Sequence, residues 1–230
     1  MRIKIIFTSS TQKVLINNQH LVNGYIHRLL GENNEYHDSK SNYCISQLCG
    51  GKLNDDKETL SFIKPYIIVT SNDEKLISRI SDELFENPIF THGMSFNDIQ
   101  YIEETFINGW NHFFTLSPIL LVEQEYGQLK RFITVNDPLF ESKLLERTKS
   151  KINKIDPKIN LDDFELKING AKKQKKIMVK NVMNLASVTK ISIKSSKKVA
   201  ELLYNYGIGQ STGSGFGSIY KTENVNTYKF

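Results

Sequence analysis

The chain has 230 residues, 39% of them hydrophobic and 24% charged, with a formal net charge of +5. That length suits one large domain or two of roughly 100 residues, the composition excludes a disordered or collagen-like chain, and no run approaches the roughly 18 apolar residues of a membrane span. The basic balance favours an acidic partner, nucleic acid first among them.

The N-terminal MRIKIIFTSS sets Ile3, Ile5 and Phe7 against Arg2, Lys4 and Ile6, an alternation that predicts a strand over 2–7. Its apolar run breaks at Thr8, too short for a signal peptide, so the protein is expected in the cytoplasm. A helix is predicted over 17–30, ended by Gly31. A polar loop over 32–41 follows, then a strand over 42–48 and a turn at Gly50-Gly51. A strand is predicted over 60–69, with Pro65 marking an irregularity or an edge. The helix over 73–86 lines up Leu76, Ile77, Ile80 and Leu84 on one face, and a strand follows over 99–106.

The order then recurs: a strand over 113–123, a helix over 138–152, strands over 164–169 and 177–193, a helix over 195–206 and a strand over 216–220. Strand–helix–strand–strand–helix–strand, twice, predicts an α+β fold of two tandem ferredoxin-like (βαββαβ) domains, 1–109 and 110–230. Cys44 and Cys49 are too few for a disulfide scaffold and have no second ligand pair. They read as reduced thiols. The acidic pairs Asp55-Asp56, Glu103-Glu104 and Asp162-Asp163 fall in separate segments. No metal and no cofactor is expected.

The stretch GIGQSTGSGFGSIY, 207–220, holds five of the 13 glycines. It is not a dinucleotide fingerprint, because Thr212 stands at the third glycine and the loop leads from a helix into a strand, the reverse of a nucleotide loop. It half-resembles an RNA-recognition strand, with Ser214 and Ser218 where a basic and an aromatic residue belong. A helix cap and a turn would need fewer glycines. Glycine lets a backbone approach a ligand closely, so Gly207, Gly209, Gly213, Gly215 and Gly217, with Ser211, Thr212 and Ser214, are candidate phosphate contacts. Residues 166–200 carry ten lysines and no Asp or Glu. Lys172, Lys173, Lys175, Lys176 and Lys180 among them are expected to contact an RNA backbone; the alternative is a solvated lysine-rich surface.

RNA carries its own nucleophile in the 2′-OH. Cutting it without a metal requires a base for that proton, an acid for the leaving 5′-oxygen and a cation for the extra phosphate charge. Histidine suits the first two and lysine the third. The five histidines stand at 20, 27, 37, 92 and 112; His20 and His27 share a face of the first helix, and His37 lies in the loop beyond it.

Gly-x-Gly, five residues, Gly-x-Gly after a helix and near the C-terminus resembles the CRISPR-associated endoribonucleases that process repeat RNA, the sixth-numbered Cas family of the repeat-associated group. MRIKI, HRLLG (27–31), TLSPI (115–119), KKIMVKN (175–181) and ELLYNYGIG (201–209) resemble the same family. The resemblance implies the tandem ferredoxin-like fold and an active site that pairs a Tyr or His on the first helix with a loop histidine, often joined by a lysine. His27 matches the helix position, His37 in EYHDSK matches the loop position, and Lys40 lies near the expected lysine, with Lys52 and Tyr43 as alternatives. The roles implied are His37 as general base or acid, His27 as its partner and Lys40 as the transition-state cation. The implied activity is metal-independent cleavage of CRISPR precursor RNA within its repeats. It would leave 2′,3′-cyclic phosphate and 5′-OH ends, with the product passed to an interference complex, by a monomer or a homodimer. The rival readings are a non-catalytic RNA-binding subunit of such a complex and a ferredoxin-like RNA-binding module unrelated to CRISPR.

Overall fold

The computed structural model describes residues 1–31, 36, 42–124, 129–179 and 181–223. In the N-terminal half β1 (Arg2–Phe7) buries Ile3, Ile5 and Phe7, as its alternation requires. A short β2 (Val14–Leu15) precedes α1 (Gln19–Leu30), whose buried face is Val22, Tyr25, Ile26, Leu29 and Leu30. Next come β3 (Tyr43–Ile45), β4 (Cys49–Leu53) and β5 (Thr59–Ser71). The helix α2 (Glu74–Glu86) starts where the Asp73 carboxylate accepts from the backbone N–H groups of Lys75 and Leu76, and it buries Leu76, Ile77, Ile80 and Leu84. A hairpin of β6 (Ile89–Thr91) and β7 (Met94–Tyr101) closes the unit.

The C-terminal half repeats the plan with β8 (Gly109–Thr115), the short pair β9 (Val122–Glu123) and β10 (Arg131–Phe132), and α3 (Phe140–Ile155). The long hairpin β11 (Glu165–Val179) and β12 (Val182–Ser195) follows, then α4 (Lys197–Tyr206), capped by the Ser196 hydroxyl on Val199 N, and β13 (Ile219–Lys221). The first sheet runs β7-β1-β5 with β3 and β4 on the far side of β5, and the second runs β11-β12-β8-β13, all antiparallel. Numbering the principal strands of each unit one to four, both sheets have the order 4-1-3-2. The molecule is therefore two tandem ferredoxin-like domains.

Several expected elements sit elsewhere. The strand expected over 99–106 is β7, Met94–Tyr101, because the chain reverses at His92 and Gly93, both at positive φ. Gly50 and Gly51 do not form a turn; they lie in β4, where the register shifts between Cys49 and Gly51. The stretch 113–123 is not one strand: β8 ends at Thr115 and β9 begins at Val122. The lysines of 172–176 lie within β11 rather than between strands.

Each domain has its own core, one built on Ile3, Ile5, Val22, Ile67 and Leu76, the other on Phe113, Leu144, Ile152, Ile191 and Leu203. Between the domains Thr70 Oγ1 donates to Asn205 O at 2.6 Å, Gln47 N to Ser117 Oγ at 2.9 Å, and the Arg2 guanidinium lies 4.1 Å from the centre of the Tyr204 ring. The helices α3 and α4 cover one face of the second sheet, against Phe113, Ile191 and Ile193, and leave the other face open.

Candidate nucleic-acid interface

The glycine-rich loop is a joint between the domains. Gly207 ends α4 at φ 70°, with its N–H on Leu203 O. A Cβ there would lie 2.8 Å from Cys44 Sγ of β3, one on Gly215 2.1 Å from Gln19 Nε2 of α1, and one on Gly217 1.8 Å from Ile208 O. Thr212 Oγ1 donates to Tyr43 O at 3.4 Å, and Asn23 Nδ2 of α1 to Ser214 O at 3.5 Å. Backbone packs on backbone and on the first domain at distances no side chain would allow. Gly207, Thr212, Gly213, Gly215 and Gly217 are thus buried in protein, while Gly209 and Ser214 are half-buried and Ser211 is exposed. Of the loop residues expected to meet RNA, these last three reach solvent.

On the open side of the two sheets lies a cleft of about 650 Å³. Arg2 and Lys4 enter it from β1, Lys173 and Lys175 from β11 and Lys221 from β13, against a single carboxylate among the described residues, Glu104. Tyr66, Phe114, Tyr204 and Tyr220 supply aromatic surface. The Phe114 and Tyr220 rings are 5.6 Å apart, and the Lys4 ammonium lies 4.5 Å from the Tyr66 ring centre. Burial pushes the Tyr66 phenol up to about 12, so it stays a donor through neutral pH. Arg2 is 3% exposed, and its Nε has no hydrogen-bond partner among the described residues. Its Nη1 donates to Tyr204 O at 3.4 Å.

Beyond the cleft the same sheet face continues through His112, whose Nδ1 is 2.7 Å from Ser192 Oγ, to Trp110, which Lys167 covers at 4.7 Å. Trp110, His112 and Phe114 alternate along β8 with buried Asn111, Phe113 and Thr115, which puts all three on the open face. Basic groups between aromatic rings on a β-sheet suit single-stranded nucleic acid, whose phosphates take the cations and whose bases stack on the rings.

A second cleft, of about 690 Å³, opens on the helical side between α3 and the glycine-rich loop. Arg147, Lys151 and Lys154 line it with Asn42, Ser211 and Thr212. Lys151 Nζ donates to Tyr206 O at 2.6 Å, Gly207 O at 3.0 Å and Thr212 Oγ1 at 3.4 Å, and burial lowers its pKa to about 8.

Lys172, Lys173, Lys175 and Lys176 are exposed on β11, of which Lys173 and Lys175 face the inter-sheet cleft. His27 is half-buried in the last turn of α1. His37, Lys40 and Lys180 lie outside the described residues. Among the described residues no group of three or more His, Cys, Asp or Glu converges, Cys44 and Cys49 are free thiols, and no helix is long and apolar enough to cross a membrane. Sequence reasoning missed Arg2, Lys4, Tyr66 and Lys221. Its one available signal was the alternation in MRIKI, which already set Arg2 and Lys4 on the face opposite the core.

The family described as "CRISPR associated protein Cas6, C-terminal" matches residues 101–220. No curated protein matches the chain by sequence. Among solved structures, the product of a Cas6-related gene from Pyrococcus furiosus superposes with a TM-score of 0.84 at 20% identity, over 97% of this chain and 99% of that one. A RAMP protein described as binding different RNA substrates gives 0.83 at 22% identity, over 97% and 100%. A Cas6 product complex gives 0.65 at 14% identity, over 96% and 100%.

Proposed function

The chain belongs to the CRISPR-associated Cas6 family, and from that premise we propose that it is an endoribonuclease that cuts CRISPR precursor RNA within its repeats. The observation that carries this reading is the inter-sheet cleft, where among the described residues five cations face one carboxylate beside a tilted pair of aromatic rings. That arrangement suits a single-stranded segment of the repeat. Arg2 adds fixed positive charge to the floor of the cleft, held on Tyr204. The similar RAMP protein described as binding different RNA substrates supports this partner.

In the proposed reaction the 2′-OH loses its proton to one histidine and attacks the adjacent phosphorus. The bond to the 5′-oxygen breaks as a second histidine protonates it, leaving a 2′,3′-cyclic phosphate and a 5′-OH. We assign these roles to His37 and His27, and the neutralisation of the extra phosphate charge to Lys40. Support for His27 is its half-buried place in the last turn of α1, immediately before the segment that carries His37 and Lys40. The domains are proposed to divide at residues 109 and 110, with the catalytic residues in the first and the glycine-rich loop in the second.

The test is cleavage of the cognate repeat RNA in excess EDTA, beside a substrate with a single 2′-deoxy sugar at the cut site. Cutting of the all-RNA strand alone is expected. A requirement for added metal, or tight binding of both strands with neither cut, overturns the cleavage mechanism; the second outcome leaves an RNA-binding subunit. A His37→Ala protein that cuts at the wild-type rate removes His37 from its role.

A further inference from the structure

We propose that the cleft between α3 and the glycine-rich loop is a second polyanion site, in which Arg147 and Lys154 hold the phosphodiester backbone of the bound RNA. The inference rests on the reading of the protein as RNA-binding. It adds a contact surface on the opposite face of the second sheet from the inter-sheet cleft. α3 buries Phe140, Leu144, Thr148 and Ile152 against the core. Arg147, Lys151 and Lys154, spaced i, i+4, i+7, therefore share a flank of the helix, and all three line the cleft.

The charge of this site is unbalanced. Among the described residues no Asp or Glu lines the cleft. Two cations nearby are matched: Lys143 pairs with Glu123 at 2.8 Å and Glu146 at 3.4 Å, and Lys198 with Asp156 at 2.7 Å. Arg147 and Lys154 make no ion pair among the described residues, and both are exposed. Lys151, held on three oxygens of the loop, adds fixed positive charge to the floor. Ser211, the exposed residue of the loop at φ 55°, stands at the rim with its hydroxyl available. A cavity lined by cations and hydroxyls without an acid favours an anion.

The spacing selects the kind of anion. Arg147 and Lys154 are seven residues apart, about 10 Å along the helix axis. One phosphate group does not span that distance, whereas successive phosphates of a nucleic acid strand do. Asn42, which also lines the cleft, directly follows residues 37–41, the segment that carries His37 and Lys40. A strand seated here therefore runs beside the start of β3, into which the candidate catalytic segment leads.

The test measures binding of a repeat RNA with a 2′-deoxy sugar at the cut site across a salt series. It compares wild type, Arg147→Gln/Lys154→Gln, Lys173→Gln/Lys175→Gln and a control, Lys57→Gln/Lys75→Gln, whose lysines line neither cleft. Loss of two phosphate contacts is expected to flatten the slope of log K against log[salt] by about 1.4 in the α3 variant. Affinity should fall about tenfold in moderate salt, and the control should match wild type. An α3 variant with wild-type slope and affinity, while Lys173→Gln/Lys175→Gln is weakened, overturns the inference and leaves the RNA reading standing. Wild-type protein that binds RNA without salt dependence overturns both.

Discussion

Gly217 has no room for even one methyl group. A Cβ there would meet Ile208 O at 1.8 Å, and its φ is 67°. Gly217→Ala is therefore expected to lower stability by about 3 kcal/mol or more, read as a fall in the urea midpoint. Gly24 in α1 is the contrast: nothing lies within 4 Å of its added Cβ. Gly24→Ala is expected to raise stability by up to about 1 kcal/mol through helix propensity. Lys151→Met would strip the donor from three oxygens and should cost about 3 kcal/mol. The lysine also predicts a pH signature. Its native pKa, about 8, lies below the ordinary 10.5, so from pH 8 upward the native amine sheds its proton before the unfolded one. The unfolded state then binds more protons, and stability rises with pH. Burial raises both the Cys44 and Cys49 thiols, which increasingly opposes this as pH approaches and passes 9, where the unfolded thiols ionise and the native ones do not. The Lys151 contribution is therefore read between pH 8 and 9, as a rise in wild-type stability that Lys151→Met lacks. None of this was legible from residue types. Lys151 looks like any lysine on a basic helix, and its partners lie 55 or more positions away; His27, by contrast, could be placed on α1 from periodicity alone.

The same contrast holds for whole elements. α2 was legible because Asp73 caps it and its apolar residues recur at helical spacing. β1 was legible because its alternation is unbroken. β7 was misplaced because the turn before it uses His92 at φ 50°, a residue whose identity does not announce a left-handed backbone. The β11–β12 hairpin was misread, with 177–193 as one strand, because no glycine or proline marks its reversal between Val179 and Val182. The inter-sheet cleft was not legible at all, since β1, β5, β8, β11 and β13 meet there only after both domains have folded. Its aromatics carry a prediction of their own. Phe114→Ala and Tyr220→Ala should each weaken binding of single-stranded RNA by about 1–3 kcal/mol. Lys173→Gln/Lys175→Gln should instead flatten the salt dependence with little change in which sequence is preferred. Titrations at two salt concentrations separate the two effects.

At the scale of the molecule, the two domains share hydrogen bonds that neither can make alone. Thr70 Oγ1 reaches Asn205 O, Gln47 N reaches Ser117 Oγ, and Arg2 rests on Tyr204. Parting the domains would exchange each of these contacts for water, at a net cost of about 0.5–1.5 kcal/mol per hydrogen bond. Thermal unfolding is therefore expected as a single calorimetric transition, with calorimetric and van't Hoff enthalpies equal. Arg2→Ala removes the bolt and should lower the Tm. It should also weaken RNA binding through the loss of a cleft cation, whereas Thr70→Val should lower the Tm alone.

The joint also sets a dimension. At Gly207 and Gly215 the loop backbone meets Cys44 and Gln19 of the first domain with no side chain of its own between, and Gly217 packs on Ile208 within the loop, so the backbone fixes the distance between the domains. The width of the groove between the sheets is therefore a property of the backbone and does not depend on which residues line its walls. Lys4, Tyr66, Lys173, Lys175 and Tyr220 can change one by one without altering the gauge. The molecule is in effect a fixed caliper with replaceable jaws: its surface chemistry is free to drift toward different strands, while the loop that spaces it is not.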